Sequence, residues 1–301
     1  MVKVFDPFGA AAALVIDRVV GEPPVSPHPV ALLGAALAAT ERVLYRDRRV
    51  AGVAHAVAGL AMGVGSGAIL GGTAAATYVA VAGRALGEAA RAVEDALAGD
   101  DIERARKLIP ALVGRDPSNL DGKELCRAVV ESVAENTVDA VVAPALWGAA
   151  FGAPGAMGYR ALNTMDSMVG HRTPYHERYG WASARLDDLA GWVPARVTAV
   201  MVATVRPGAA GAVWRLVRRD APHHPSPNAG VAEAAFAAAL GLRLGGENRY
   251  GDRVEVRPSL GDGPAPERAD IGRAVRLADD VGLAVAGGLA SLGALQRRRR
   301  R

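Results

Sequence analysis

The apolar pattern of this chain is clearest in runs free of Asp, Glu, Lys and Arg, among them 34 residues over 50–83, 20 over 140–159 and 16 over 281–296. A helix needs about 20 apolar residues to cross a bilayer core. The first run clears that length, the second just meets it and the third is marginal. A further apolar stretch, 190–206, holds Arg196 in its middle, which is costly in lipid and predicts burial within protein. The polar segments between the runs are of three kinds. Residues 84–130 read as one or two amphipathic helices broken near "GRDPSNLDG". Residues 160–189 are rich in Asn, Asp, Arg, His and Tyr, and 220–276 pass through Gly- and Pro-rich loops. No internal repeat and no long low-complexity linker is present.

Composition sharpens this picture. Half of the 301 residues are hydrophobic but only 5% are aromatic. Ala, Val, Leu and Gly suit close helix–helix packing better than a sheet. Within 50–83, "GLAMGVGSGAILGG" sets Gly59, Gly63 and Gly67 four apart, the small-xxx-small spacing that lets membrane helices approach. No Lys-Ser or Lys-Thr follows these glycines, so there is no Walker A phosphate loop. The expectation is an all-α, multi-pass integral membrane bundle forming one domain over 1–301, with a soluble alanine-rich bundle as the alternative.

Charge and cysteine content exclude several classes. The net charge is +4, much of it in the terminal "RRRRR". No basic stripe is interleaved with aromatics, which argues against nucleic acid. The single Cys126 excludes an internal disulfide framework and Cys-cluster metal sites, and reads as a small buried hydrophobe. The N-terminal uncharged run, 7–16, is short and ends in Asp17 and Arg18, a poor signal peptide.

Four constellations carry candidate chemistry. In "ESVAENTVDA", Glu131, Glu135 and Asp139 lie four apart, so on a helix each advances about 40° and the three form one stripe. Like charges at that spacing destabilise a helix. Beside apolar surface they call for a cation, either Arg side chains or a hard metal such as Mg²⁺. A solvated face with Arg127 paired to Glu131 accounts for the same spacing. In "YRALNTMDSMVGHR", Arg160, Asn163 and Asp166 recur every three residues, fitting a metal or phosphate site or an ordinary amphipathic turn. In "YGWASARLDDLAGWVPAR", Asp187 and Asp188 point about 100° apart, so one can face a ligand while the other pairs with Arg185 or caps. In "DAPHHPSPNAG", prolines hold His223, His224, Ser226 and Asn228 before an apolar helix. Ser226 or Asn228 is placed to cap that helix, whose N-terminus suits an anion.

The strings "GEPPVSPHPV", "ESVAENTVDAVVAPALW", "ALNTMDSMVGHR", "YGWASARLDDLAGWVPARVTA", "HPSPNAG" and "LGLRLGGENRYG" resemble, in order and approximate spacing, the CobD/CbiB family of cobalamin biosynthesis. The resemblance runs from about residue 11 to the C-terminus. It implies an integral membrane ligase, an adenosylcobinamide-phosphate synthase. Such an enzyme joins the corrinoid carboxylate of adenosylcobyric acid to (R)-1-aminopropan-2-ol or its O-phosphate, using ATP and Mg²⁺. Under it, Glu131, Glu135, Asp139, Asp166 and Asp187 are the expected catalytic acids, with Glu131, Glu135 and Asp166 as metal ligands. His28, Arg160, Asn163, Arg172, Arg185, Asp188, His224, Ser226 and Asn228 are the expected substrate- or phosphate-binding residues. One departure is visible in "HRTPYHERYGW", where His171 replaces an expected aromatic residue and Arg172 keeps the cation.

ATP is cytoplasmic, so the groups at 131–139, 160–188 and 223–228 are expected to reach one cytoplasm-facing polar cleft in the cell membrane. Simple spans at both 140–159 and 190–206 would separate the middle group from the others. Pro144, Gly148, Gly152, Pro154 and Gly155 therefore predict a broken or re-entrant segment. The arginine tail belongs on the cytoplasmic side. The expected partners are the lipid bilayer, the two substrates and other membrane-associated enzymes of the pathway. The rival reading is a membrane transporter or sensor whose intramembrane acids bind a cation.

Overall fold

The computed structural model describes residues 5–114, 116–171, 173–250 and 253–299. Its helices are α1 (Pro7–Val20), α2 (Pro29–Leu44), α3 (Arg49–Ile69), α4 (Thr73–Ala80), α5 (Gly83–Ala98), α6 (Ile102–Leu108), α7 (Gly122–Thr137), α8 (Ala143–Met165), α9 (Trp181–Val205), α10 (Ala210–Arg219), α11 (Ala229–Leu240) and α12 (Arg268–Arg299). A hairpin of β1 (Leu244–Tyr250) and β2 (Arg253–Leu260) completes it. Single π-turns at Val138–Val142 and Asp166–Gly170 flank α8.

Among the described residues, four segments are long and apolar enough to cross a membrane: Arg49–Ile69, Gly122–Gly170, Trp181–Val205 and Arg268–Arg299. The chain is thus of the all-α, multi-pass membrane type. Val50, Val57 and Ile69 on α3 and Leu189, Trp192 and Val193 on α9 are exposed, as a lipid-facing surface requires. The expected 34-residue run divides at a turn through Gly71, so α3 takes one part and the short α4 the other.

Packing divides the span expected as one domain into two compact units. The first comprises Met1–Ala82, Asp139–Pro194 and Val285–Arg301. The second comprises Gly83–Val138 and Ala195–Ala284.

The first unit is organised around α8, against which α1, α2, α3 and α4 pack. Its core runs from Leu33 and Leu37 on α2 through Ala76, Val79 and Ala80 on α4 to Met157, Leu162 and Met165 on α8. The glycine stripe does what its spacing predicts. A Cβ on Gly63 would lie 2.6 Å from both the Ala161 Cβ and the Met157 carbonyl, and one on Gly67 would lie within 2.4 Å of the Ala153 carbonyl. Only hydrogen fits between these backbones.

Helix α8 breaks at Gly152, whose φ of 67° and ψ of −156° leave the helical region, two residues before Pro154. The Asp6 N–H donates to the Ala149 carbonyl at 2.9 Å, supplying a partner where the intrahelical ladder fails. In α9, Pro194 removes the donor that would serve the Ala190 carbonyl. The Trp147 indole N–H reaches that carbonyl at 3.0 Å instead.

The second unit packs α5 against α6 and α7, and α11 against α7 and α10. Helix α7 opens on a capping box: the Glu124 N–H donates to Asp121, and the Asp121 N–H donates back to the Glu124 carboxylate. The polar segment 84–130, expected as one or two helices, holds α5, α6 and the first part of α7, and the expected break near "GRDPSNLDG" falls between α6 and α7. The hairpin departs from the loop expected there. Alternation in "RVEVR" has the period of a strand, and antiparallel pairing of Leu244 with Leu260 and Glu247 with Val256 closes it.

Gly63→Ala is expected to lower the melting temperature in detergent by several degrees, since overpacking costs about 1–3 kcal/mol. Gly65→Ala, whose added methyl meets nothing within 4 Å, is expected to leave it unchanged or raise it. Equal behaviour of the two variants would refute the close approach of α3 and α8.

Candidate functional site

In the first unit, carboxylates converge from both ends of α8 and from α9. Asp139 lies in the π-turn before α8 and accepts a 3.1 Å hydrogen bond from the Tyr159 hydroxyl. Asp166 opens the π-turn after α8, where a Cβ on Gly170 would lie 1.9 Å from its Oδ1. That glycine leaves space for the carboxylate. On α9, Asp187 and Asp188 diverge as adjacent helical residues must. Asp188 lies 3.8 Å from the exposed Arg185, a long ion pair of small energetic weight. Asp187 turns to the Asn163 side chain and lies within electrostatic reach of Asp139, Asp166 and Asp188. Its Oδ1 is buried without a hydrogen-bond partner.

Arg160 faces the same group, with Asp139 and Glu22 as its acidic neighbours, and its Nε is buried without a hydrogen-bond partner. The every-third-residue pattern thus brings Arg160, Asn163 and Asp166 together with Asp139 and Asp187. Tyr159 was not anticipated. A tyrosine at the end of a 20-residue apolar run was the available signal. His28 has a local job, since its Nδ1 accepts from the Val30 N–H at 3.3 Å and caps α2. Arg172 lies outside the described residues.

In the second unit, Glu131 is only 4% exposed, so the solvated face considered for it does not hold. Its Oε1 accepts from the Gly245 N–H at 2.8 Å. Arg127 donates to the Gly245 carbonyl and, at 2.7 Å, to the Glu247 carbonyl. The positive φ of Gly245 and Gly246 at the hairpin bulge turns these backbone groups toward α7. Glu135 lies one turn further along α7, half-buried.

The loop before α11 is tightly built. The Ser226 hydroxyl accepts from the N–H groups of Asn228, at 3.3 Å, and Ala229, at 3.1 Å, so the expected cap is Ser226. His224 Nδ1 lies 3.1 Å from both the Ser226 N and O. Its Nε2 lies 3.7 Å from Glu233, a carboxylate on α11 with no exposed surface. Arg257 approaches the same Glu233 oxygen at 3.9 Å. Asn228 accepts from Arg196 at 3.1 Å, and Arg196 also donates to the Pro227 carbonyl. Arg196 is half-buried, and these bonds give it polar company on an apolar helix. Glu233, Arg196 and Arg257 were not among the expected site residues. The legible signal for Glu233 was a single charge in an otherwise apolar 12-residue helix.

Arg219 clamps this loop to the hairpin exit. It reaches Asp220 at 2.5 Å and Asp262 at 2.7 Å, while Asp220 accepts from the Gly261 N–H at 2.9 Å. The hydrogen bond from Arg219 holds the Asp220 carboxyl below its ordinary range, and the same partner lowers Asp262. Depressed carboxylates stabilise the fold above their unfolded pKa of about 3.9, and that stability is lost as pH falls through the folded values.

Among the described residues, no three or more His, Cys, Asp or Glu side chains form a ready-made metal cage. Mg²⁺ bound with a nucleotide needs only one or two protein carboxylates, and the oxygen donors around Asp187 are of that chemistry.

A family model described as "CobD/Cbib protein" matches residues 10–278. The chain is 49% identical over 286 residues to "Cobalamin biosynthesis protein CobD" of Mycobacterium tuberculosis, covering 89% of this chain and 90% of that one. Identity to a protein of the same name from Rhodobacter capsulatus is 43% over 267 residues, covering 83% and 84%. For that of Geobacter metallireducens it is 40% over 271 residues, covering 83% and 85%. No solved structure matches the chain.

An acid titration tests the clamp. The melting temperature of the intact protein is expected to fall as pH drops below the unfolded carboxylate pKa of about 3.9 and on through the lowered folded values of Asp220 and Asp262. Arg219→Gln should lower it at neutral pH and flatten that acid limb; an unchanged limb would remove the clamp from the account.

Proposed function

The chain belongs to the CobD/Cbib family of cobalamin biosynthesis proteins, and from that premise we propose that it is an ATP-dependent, amide-forming ligase. It joins the carboxylate of adenosylcobyric acid to (R)-1-aminopropan-2-ol or its O-phosphate, in the cell membrane and with its chemistry on the cytoplasmic side. The observation that supports this reading best is the convergence of Asp139, Asp166, Asp187 and Asp188 with Arg160 and Asn163 on an apolar scaffold.

An amide does not form readily from a free carboxylate and an ammonium ion in water. The carboxylate is first activated: its oxygen takes the γ-phosphoryl group of ATP, ADP leaves, and an acyl phosphate results. The amine then attacks the acyl carbon, the C–O bond to phosphate breaks, and the nitrogen gives up its proton. Asp139 and Asp166 would hold Mg²⁺, which when bound offsets phosphate charge and orients the transferring group. Arg160 offers guanidinium donors to phosphate oxygens. Asp187, oriented by Asn163, accepts the amine's proton at its Oδ1. The apolar walls of α3, α4 and α8 keep water from the activated acyl group.

In the second unit, His224, held by Ser226 beside Glu233, and Asn228, held by Arg196, form a rigid polar loop suited to the amide and carboxylate edges of a corrinoid. Glu131 keeps the hairpin in place beneath Arg127.

The test uses protein purified in detergent with adenosylcobyric acid, either form of the amine, ATP and Mg²⁺, the corrinoid being followed by mass spectrometry. Asp166→Asn and Asp187→Asn are each expected to cut product formation at least about a hundredfold, the usual weight of a positioned acid–base or charge-stabilising group, while melting normally. Full activity in both variants would remove this cluster from the chemistry. Ion flux in liposomes without product from the wild type would favour a transporter.

A further inference from the structure

Helix α10 has two unlike faces. Val213 and Leu216 are buried, and the helix packs on α11. Gly211, Trp214, Arg215 and Arg218, spaced i, i+3, i+4 and i+7, share the opposite, exposed face. Trp214 is 38% exposed although it is the largest apolar side chain of the helix.

Residues 206–219 hold four arginines and no acid. Two are engaged within the protein: Arg206 with Asp280 at 2.8 Å, and Arg219 with Asp220 and Asp262. Arg215 and Arg218 remain on the open face beside Trp214, Arg215 within electrostatic reach of Asp262.

Chain length locates this face. The membrane-length segment α9 ends at Val205 and α10 begins at Ala210. The four connecting residues include a 3₁₀ turn and reach at most about 14 Å even if fully extended. The start of α10 therefore lies close to where α9 leaves the hydrocarbon. The apolar stripe of α10 is already used against α11, so the helix has little apolar surface left to sink into the bilayer. Its outward basic face and single indole suit the headgroup layer.

We propose that the Trp214–Arg215–Arg218 face of α10 is a docking surface for anionic phospholipid headgroups. It fixes the C-terminal end of α9 at the membrane surface.

The test uses the full chain reconstituted in phosphatidylcholine vesicles carrying either brominated phosphatidylglycerol or brominated phosphatidylcholine. The Trp214 share of fluorescence is taken as the difference between wild type and Trp214→Phe. Brominated phosphatidylglycerol is expected to quench that share more strongly, with the preference weakening as salt rises. The double variant Arg215→Gln/Arg218→Gln, altered only at exposed positions, should melt normally and lose the preference on the order of tenfold. Equal quenching by both lipids, or a preference that survives in the double variant, would overturn the proposal. So would a preference abolished by inorganic phosphate at constant ionic strength, which would assign the face to a soluble anion.

Discussion

The close approach of α3 to α8 is the contact on which the first unit depends. Asp139, Tyr159, Arg160, Asn163 and Asp166 all lie on α8 or its flanking π-turns. Their positions are therefore set by where α8 lies and how it breaks. Glycines at 63 and 67 let α3 meet it at backbone distance, Gly59 leaves room for the Met165 side chain, and the Ala149 and Ala190 carbonyls beside its kink and beside Pro194 find substitute donors in Asp6 and Trp147. In an apolar environment such carbonyls cost several kcal/mol if left unmet, so a broken helix is stable only with partners in place. The irregular backbone that positions the acids is thus stabilised by ordinary hydrogen bonds.

Electrostatics adds the second constraint. Several carboxylates within reach of one another on an apolar scaffold repel strongly, because low-dielectric surroundings screen little. Tyr159, Asn163 and Arg160 take up part of that charge. Under the proposed function, a cation bound with a phosphate-bearing substrate would offset more of it. The second unit handles charge differently. Glu131 is satisfied by the backbone of a glycine bulge, and Glu233 lies beside His224 and Arg257. The Glu131 hydrogen bond ties the hairpin to α7, and Glu233 sets a buried carboxylate beside the loop that precedes α11.

Much of this was legible in the residue order, and the exceptions are instructive. Membrane-length apolar helices, the glycine stripe, the break around Gly152 and the divergence of Asp187 from Asp188 follow from periodicity, residue size and helical geometry, which are local properties. The Ser226 cap was legible for the same reason. The hairpin was hidden because its strands sit among glycines and a proline, and pairing, which sequence spacing does not display, makes them strands. Glu131 was expected as a catalytic acid and metal ligand, with a solvated face as the alternative, and its actual partner, the Gly245 N–H, was hidden because it lies 114 residues away.

What the sequence by itself determined is the class of the molecule: helical, with apolar runs of membrane length, and carrying acids and arginines at motif positions of a recognisable family. Hydropathy and i, i+3 and i+4 spacing suffice for that, because they depend on neighbours within a turn or two. Only the tertiary structure decided which acids meet, which arginine serves a carbonyl and which an aspartate, and which carboxylates are buried. Those outcomes depend on side chains brought together from distant parts of the chain, and burial is a property of the packed fold rather than of any one helix.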